Sequence, residues 1–523
     1  MKKLSFVAIC VAYCCCWTAC GTLKKTPKND DLIDVTFLQI NDVYEIEALN
    51  GGREGGMARV ATLRNRLKTE NLNTFTILAG DFLSPSVVGT LKYEDKSIKG
   101  RQMVEAMNAV GMDMVTFGNH EFDIKEAELQ ERLNESNFRW VSSNMKHKTA
   151  QGYEPFYRMK NNAKDFLPPT IILDVKDADG TTARVGVIGV TLNFAMPDYA
   201  RYYNADSAAI AAYNFIKNQT DFVVAITHQS IDEDKQLAQK LPQVQLIMGG
   251  HEHNNMLEKV GNSRIAKADA NAKTAYIHRL KYNKKTKQLQ INSELKAIDN
   301  QLSDEPTTFA VVQKWKQITK DILEKKGIQP DETVFFAAAN EPLEGREYLV
   351  RSRRTNLTQH IANAIRYALP KVDGVVFNSG SIRIDDQLSG NVSQYDVLRI
   401  LPYGGKILTV ELKGKLLAQV LEQGRKNVGA GGFLQYDDWI TYDMNNNEVT
   451  TWRIGKEAIQ PDKVYTIAFT EFLLTGKEKG LSFLTRDNPD IVKVSEPKTD
   501  DFNDPASDIV RALIRYFKKI TPK

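Results

Sequence analysis

Met112-Asp113-Met114-Val115-Thr116-Phe117-Gly118-Asn119-His120-Glu121-Phe122-Asp123 carries an apolar, β-branched run straight into a polar turn. The run reads as a buried strand. The turn after it offers amide, imidazole and carboxylate groups at the strand's carboxyl end, which is where ligands bind in layered α/β sheets. The same design recurs along the chain. Residues 35–40 lead into Asn41-Asp42, residues 74–79 into Gly80-Asp81, residues 222–227 into His228, and residues 244–248 into Gly249-Gly250-His251-Glu252-His253. Residues 185–190 form a further strand candidate, and amphipathic stretches separate the runs, as in a layered α/β domain. Five strands thus deliver metal-competent side chains to one edge.

A chain of 523 residues, 42% hydrophobic and 26% charged, exceeds what one core organises. Residues 34–300 form the first expected domain. Apolar positions at near-helical spacing from 304 to 327, ended by Gly327 to Pro330, make 301–330 a linker helix. Residues 331–523 then mix strands at 374–377, 407–412 and 464–469 with helices, as a second α/β domain. The net charge of +4 is spread along the chain, so no footprint for a nucleic acid polymer is visible.

All five cysteines fall within the first twenty residues, which leaves the rest without a disulfide framework or a thiolate metal site. Lys2 and Lys3 precede an apolar run from Leu4 to Trp17, the pattern of a secretory signal too short to span a bilayer. Trp17-Thr18-Ala19-Cys20-Gly21 resembles a bacterial lipobox, which implies a lipid on Cys20. The expected product is exported across the inner membrane and lipid-anchored in the cell envelope through a polar tether at 21–33; a plain cleaved signal is the alternative.

Four of the seven histidines, His120, His228, His251 and His253, follow predicted strands and share that edge with Asp42, Asp81 and Asn119. Oxygen and nitrogen ligands without thiolate suit Zn, Mn, Co or another divalent ion. A carboxylate shared by two ions, roughly 3.5–4 Å apart, would polarise a phosphoryl group. His147, His278 and His360 read as structural.

The ordered blocks Asn41-Asp42, Gly80-Asp81, Gly118-Asn119-His120-Glu121-Phe122-Asp123, Thr227-His228 and Gly249-Gly250-His251-Glu252-His253 resemble the calcineurin-like metallophosphoesterases. Over residues 34–490 the resemblance is to the 5'-nucleotidase family. It implies a four-layer metallophosphoesterase β-sandwich flanked by helices, connected by a helix to a C-terminal α/β nucleotide-binding domain, with two divalent metal ions as cofactors. Asp42, Asp81 and His253 would serve one ion, and Asp81, Asn119, His228 and His251 the other. His120 and Asp123 resemble the family's catalytic pair: an imidazole beside the metals can stabilise charge or protonate a leaving alkoxide, and a nearby carboxylate can hold it cationic. Asp123 as a helix N-cap is the alternative. The chain departs from the family at Tyr44, where His is usual. Either Tyr44 binds as phenolate or the first ion is held more weakly, and a different ion is preferred.

In the second domain Asn378-Ser379-Gly380-Ser381-Ile382-Arg383 and the upstream Arg351 resemble the family's phosphate-binding elements, with Arg383 forking onto phosphate oxygens. Tyr403 and Phe472 match its two base-stacking rings. After Gly476 the chain reads Lys477-Glu478-Lys479-Gly480 in place of the usual Gly-Gly-Asp-Gly, with Glu478 in reach of the acid's role. The implied substrate is a small phosphate ester, foremost a nucleoside 5'-monophosphate, hydrolysed for extracytoplasmic nucleotide salvage. A 2',3'-cyclic nucleotide phosphodiesterase and a UDP-sugar pyrophosphohydrolase remain alternatives on the same site, and a non-catalytic surface lipoprotein is the alternative of another class.

Overall fold

The computed structural model describes residues 31–446, 448–498 and 503–521. The expected leader, including Cys20, and most of the tether lie outside these residues. The first strand begins earlier than expected, because Leu32 and Ile33 pair with Asn283 and Tyr282 and Ile33 is completely buried. The tether therefore stops short of residue 32.

Two six-stranded sheets lie face to face. One runs Gln288–Ala297, Thr274–Asn283, Leu32–Ile40, Thr74–Leu78, Met114–Val115 and Arg139–Trp140, and the other Thr170–Lys176, Thr182–Thr191, Phe222–His228, Leu246–Gly250, Ser263–Lys267 and Met256–Val260. Val35, Phe37, Ile77 and Met114 from the first interdigitate with Val185, Val187, Ile226 and Met248 from the second. The opposite faces are covered as well. Leu38, Ile40 and Leu78 pack under the helices Met57–Glu70 and Arg101–Val110, while Ile188, Ala225 and Ile247 pack under Ala205–Ile216 and Ile231–Lys240. Burial on both faces explains why these strands read as near-continuous apolar runs.

Within each sheet the central strands are parallel, so their carboxyl ends share one edge. Two strand boundaries shift. The run at 112–117 shortens to Met114–Val115, and the run at 244–248 slides to Leu246–Gly250, where Gly249 and Gly250 pair with Thr227 and His228. The glycines extend the strand because nothing larger fits: a Cβ on Gly250 would lie 2.2 Å from the Ala79 carbonyl.

The linker helix spans Pro306–Lys325, capped by the Glu305 carboxylate, which accepts from Thr307 and Thr308 N–H. Its buried Val312, Trp315 and Leu323 join the core beneath Met57–Glu70, and the Trp315 indole donates to Glu105 at 3.0 Å. The second domain is a five-stranded sheet in the order Leu434–Tyr436, Gly374–Asn378, Val464–Thr470, Ile407–Lys413, Ile491–Ser495. Gly414–Lys426 packs on it through Leu417, Val420 and Leu421, and Asn356–Ala368 pairs with Ile509–Ile520.

Candidate metal centre and substrate face

Five strand ends present the candidate ligands, and three of them hold a non-glycine residue in the left-handed region: Asp42 at φ 53°, Asp81 at φ 60° and His251 at φ 85°. Such residues cost about 1–3 kcal/mol each and persist only where their surroundings hold them. Glu121 does much of that holding. Its buried carboxylate accepts N–H groups from Asp81 (2.9 Å), Phe82 (2.7 Å), Leu83 (3.1 Å) and Gly118 (2.6 Å), clamping two ligand turns together. Burial first, and Asp81 second, push its carboxyl up to about 7, opposed by those N–H bonds. The turns approach so closely that a Cβ on Gly118 would fall 2.0 Å from Asp81 Oδ1.

Asp81 stands at the centre. Its Oδ2 lies 3.1 Å from His228 Nε2 and 3.3 Å from the Tyr44 hydroxyl, while Oδ1 accepts the His120 N–H at 2.8 Å. Burial opposes its ionisation, but His228 and His120 outweigh that and hold the carboxyl well below its ordinary range. Asp42 Oδ1 faces His253 Nε2 at 3.6 Å and His228 Nε2 at 4.0 Å, and Asp42 Oδ2 accepts the His251 N–H at 2.9 Å. Donor atoms of Asp42, Asp81 and His228 fall within 4.8 Å of one another.

Asp42 Oδ1, Asn119 Oδ1 and His228 Nε2 are buried and make no well-aligned hydrogen bond among the described residues, His228 Nε2 facing the Asp81 carboxylate at 3.1 Å. A buried polar atom left unsatisfied costs about 1–3 kcal/mol, and three from separate strand ends are a cation's natural partners. His228 fits the role further, because its Nδ1 is engaged with the Ala79 carbonyl at 2.8 Å, which commits that nitrogen as donor and leaves Nε2 to face the site. His251 is likewise suited to ligation, since burial, and then His228, pull its pKa down to about 3 and keep the imidazole neutral. The residues fit a divalent ion with oxygen and nitrogen donors.

Beside the centre His120 Nδ1 meets Asp123 Oδ2 at 2.6 Å. Burial works against an imidazolium, yet Asp81 and Asp123 prevail and raise the His120 pKa. Asp123 N-caps no helix: it ends the short 3-10 turn His120–Phe122, and the following helix Glu126–Glu135 has Lys125 at its N-cap. Arg383 reaches this point from the second domain, within electrostatic range of His120, Asp123 and Tyr44. It shares a small cavity of about 20 Å³ with Tyr44 and Asn271 at the domain junction. Arg351 lies within the same field, paired with Glu347 through one nitrogen while its buried Nε has no partner. The rings of Tyr403 and Phe472 are 57% and 46% exposed, free to receive a ligand face. Asn378 differs: its amide donates to Glu478 at 3.0 Å and its carbonyl accepts from Ser381 at 2.9 Å, so it braces the loop after Gly476.

The other histidines sit elsewhere. His147 pairs with Glu126 and stacks on Phe156, His278 bridges Gln39 and Ser293 in the sheet, and His360 lies among Phe335, Tyr516 and Phe517. Two contributors escaped the sequence reading. Glu121 was visible as part of a motif block, but nothing local announces four backbone bonds. Lys267, completely buried, reaches the Gln229 carbonyl, Asp234 and Glu252 beneath the Gly249-Gly250 strand end, and in the sequence it was only the second of two charges, after Arg264, in the run 263–267.

Residues 35–255 match the family model of calcineurin-like phosphoesterase, and residues 336–485 that of the 5'-nucleotidase, C-terminal domain. The chain is 24% identical to the 5'-nucleotidase of Bos taurus over 513 residues, covering 85% of this chain and 83% of the relative. It is 25% identical over 510 residues to the trifunctional nucleotide phosphoesterase protein YfkN of Bacillus subtilis, covering 88% of this chain but spanning only 33% of that protein. Among solved structures the 5'-nucleotidase precursor of Thermus thermophilus superposes with a TM-score of 0.69 at 19% identity, over 93% of this chain and 97% of that one. A sulfate thiohydrolase, SoxB, from the same genus shares the fold at a TM-score of 0.63 and 14% identity, over 94% of this chain and 95% of that one, so the fold alone does not name a substrate. The two family models, in this order on a two-domain α/β fold of the 5'-nucleotidase type, support membership in the 5'-nucleotidase family of calcineurin-like phosphoesterases and make the chain a hydrolase acting on phosphoester bonds.

Proposed function

We propose that the chain is an extracytoplasmic 5'-nucleotidase that releases phosphate from nucleoside 5'-monophosphates with two divalent ions. The observation that carries this reading is the meeting of the orphaned Asp42, Asn119 and His228 atoms with the His120–Asp123 pair and Arg383. Asp42, Asp81, His253 and the Tyr44 hydroxyl would hold one ion, and Asp81, Asn119, His228 and His251 the other. When bound, such ions polarise the phosphoryl group and lower the pKa of water.

The chain's own groups supply the rest. Arg383 and Arg351 bind the phosphate oxygens and neutralise their charge. His120, held through Nδ1 by Asp123, turns Nε2 to the charge that grows on the phosphoryl and leaving oxygens, and gives its proton to the departing alkoxide. Tyr403 and Phe472 stack the nucleobase. Glu478, braced by Asn378, is the acid nearest in sequence to the family's ribose-binding carboxylate. The leader and Cys20 would anchor the enzyme by lipid in the cell envelope; among the described residues no helix is long and apolar enough to cross a membrane.

The test is phosphate release from AMP with added Mn, Zn or Co, run beside 2',3'-cyclic AMP and a UDP-sugar. The relationship to a trifunctional nucleotide phosphoesterase is a reason to try more than one nucleotide ester. Turnover of AMP fastest supports the proposal. Failure to hydrolyse any phosphate ester with any of these ions would sink it.

A further inference from the structure

We propose that Asp385, in the second domain, is a positioning residue for His253, so that one ion's affinity depends on the docking of the two domains. The inference rests on the metal-centre reading above and deepens it. His253 Nδ1 is hydrogen-bonded to Asp385 Oδ2 across the domain junction. Its other ring nitrogen faces Asp42 Oδ1 at 3.6 Å and the Tyr44 hydroxyl at 3.3 Å. An imidazole whose Nδ1–H is committed to a carboxylate presents the Nε2 lone pair in a fixed direction and with raised basicity. His228 obtains the same service from the Ala79 carbonyl within its own domain. His253 obtains it from the other domain.

The turn that carries Asp385 is built for this contact. Asp385 occupies the left-handed region at φ 39°, and its Oδ1 accepts the Glu347 N–H. The next residue, Asp386, pairs with Lys273 of the first domain, so two adjacent acids grip the partner domain at two points. Glu347 in turn pairs with Arg351, a proposed phosphate ligand. Arg351, Glu347, Asp385 and His253 therefore form one connected path from the phosphate side to the metal side. Phosphate seated on the arginines and an ion seated on His253 would both favour the docked arrangement, and such coupling is reciprocal.

The experiment is a cobalt(II) titration of the full chain followed by visible absorption, comparing wild type with Asp385→Ala, Asp385→Asn, His253→Ala and the Asp385→Ala/His253→Ala double variant. Wild type should show two uptake steps. Asp385→Ala should weaken one of them about 10–100-fold and spare the other; His253→Ala should weaken the same step, and the double variant should be no worse than His253→Ala alone. Inorganic phosphate should tighten that step in wild type and not in Asp385→Ala. Unchanged cobalt uptake in Asp385→Ala, or effects of the two single variants that add in the double, would overturn the inference. If circular dichroism shows Asp385→Ala unfolded, the near-isosteric Asp385→Asn decides in the same way. Wild type that takes up no cobalt would instead overturn the metal centre itself, and this inference with it.

Discussion

The Tyr44 hydroxyl donates to Asp81 Oδ2 at 3.3 Å, placing a phenol where the family's pattern has an imidazole. Burial, then Asp81 and Asp42, push its pKa well above 10, so without an ion the phenol keeps its proton. An oxygen ligand there must shed that proton, at a cost of at least about 4 kcal/mol at pH 7 from the reference value alone. Imidazole at the same place binds in its neutral form. Tyr44→His should therefore tighten uptake of one ion by tenfold or more and flatten its dependence on pH above 7, both measurable by isothermal titration.

Glu121 is an equally sharp target, although it touches no substrate. Replacing it with Gln keeps its volume but turns an NH₂ toward two of the four N–H donors it now accepts. Buried donors without acceptors cost about 1–3 kcal/mol each. Glu121→Gln should lose roughly 2–5 kcal/mol in urea unfolding and lower kcat, because the Asp81 turn loses its clamp.

His278 gives a pH prediction away from the metal ligands. Burial, with Arg264 adding, depresses its pKa from the ordinary 6.5 to about 3. The native ring stays neutral while the unfolded ring gains a proton, so the native state loses stability as pH falls from about 6.5 toward 3 and keeps all of it above 6.5. In chelator-treated protein, His278→Gln should remove that share of the slope, at most about 1.4 kcal/mol per pH unit. A slope between pH 6.5 and 4 equal to that of wild type would show that His278 does not titrate this way.

The candidate ligand series was legible because its residues sit at or just past short apolar runs bounded by turn residues, the pattern of strands buried on both faces. Asp42, Asp81, Asn119, His228 and His251 fall where that pattern put them. The shift of the 244–248 strand onto Gly249 and Gly250 was not legible, since it depends on how closely Ala79 approaches from the other sheet. Nor was Asp385: its partner His253 is over a hundred residues away in the other domain, and only domain docking brings them together. The contact of Asn378 with Glu478 was not legible either, because it depends on how the Lys477-Glu478-Lys479 loop folds back to meet the amide.

His120 should separate chemistry from metal binding. Its ring bonds to Asp123 and only its backbone bonds to Asp81. His120→Ala should therefore cut kcat on AMP by 10²–10⁴-fold, the usual share of a proton-transferring group, while metal content by elemental analysis stays at the wild-type level. Asp123→Asn should fall between the two, with its activity lost at a lower pH than wild type's, because the carboxylate no longer helps hold the imidazolium.

Phe472 decides between a nucleotidase and a general phosphomonoesterase. Its ring is 46% exposed, and Tyr403, the other expected stacking ring, is 57% exposed, so each leaves surface open to a base. Stacking a base on such a ring is worth roughly 1–3 kcal/mol, or about 5- to 150-fold in affinity. Phe472→Ala should raise KM for AMP by that factor and leave kcat nearly unchanged, because the ring acts on the base and not on the phosphoryl group. Glycerol phosphate, which has no base, supplies the control: its KM should not move. Equal losses on both substrates would mean that Phe472 supports the pocket wall instead of reading the base, and the nucleoside part of the proposal would fall while the phosphoester hydrolase remained.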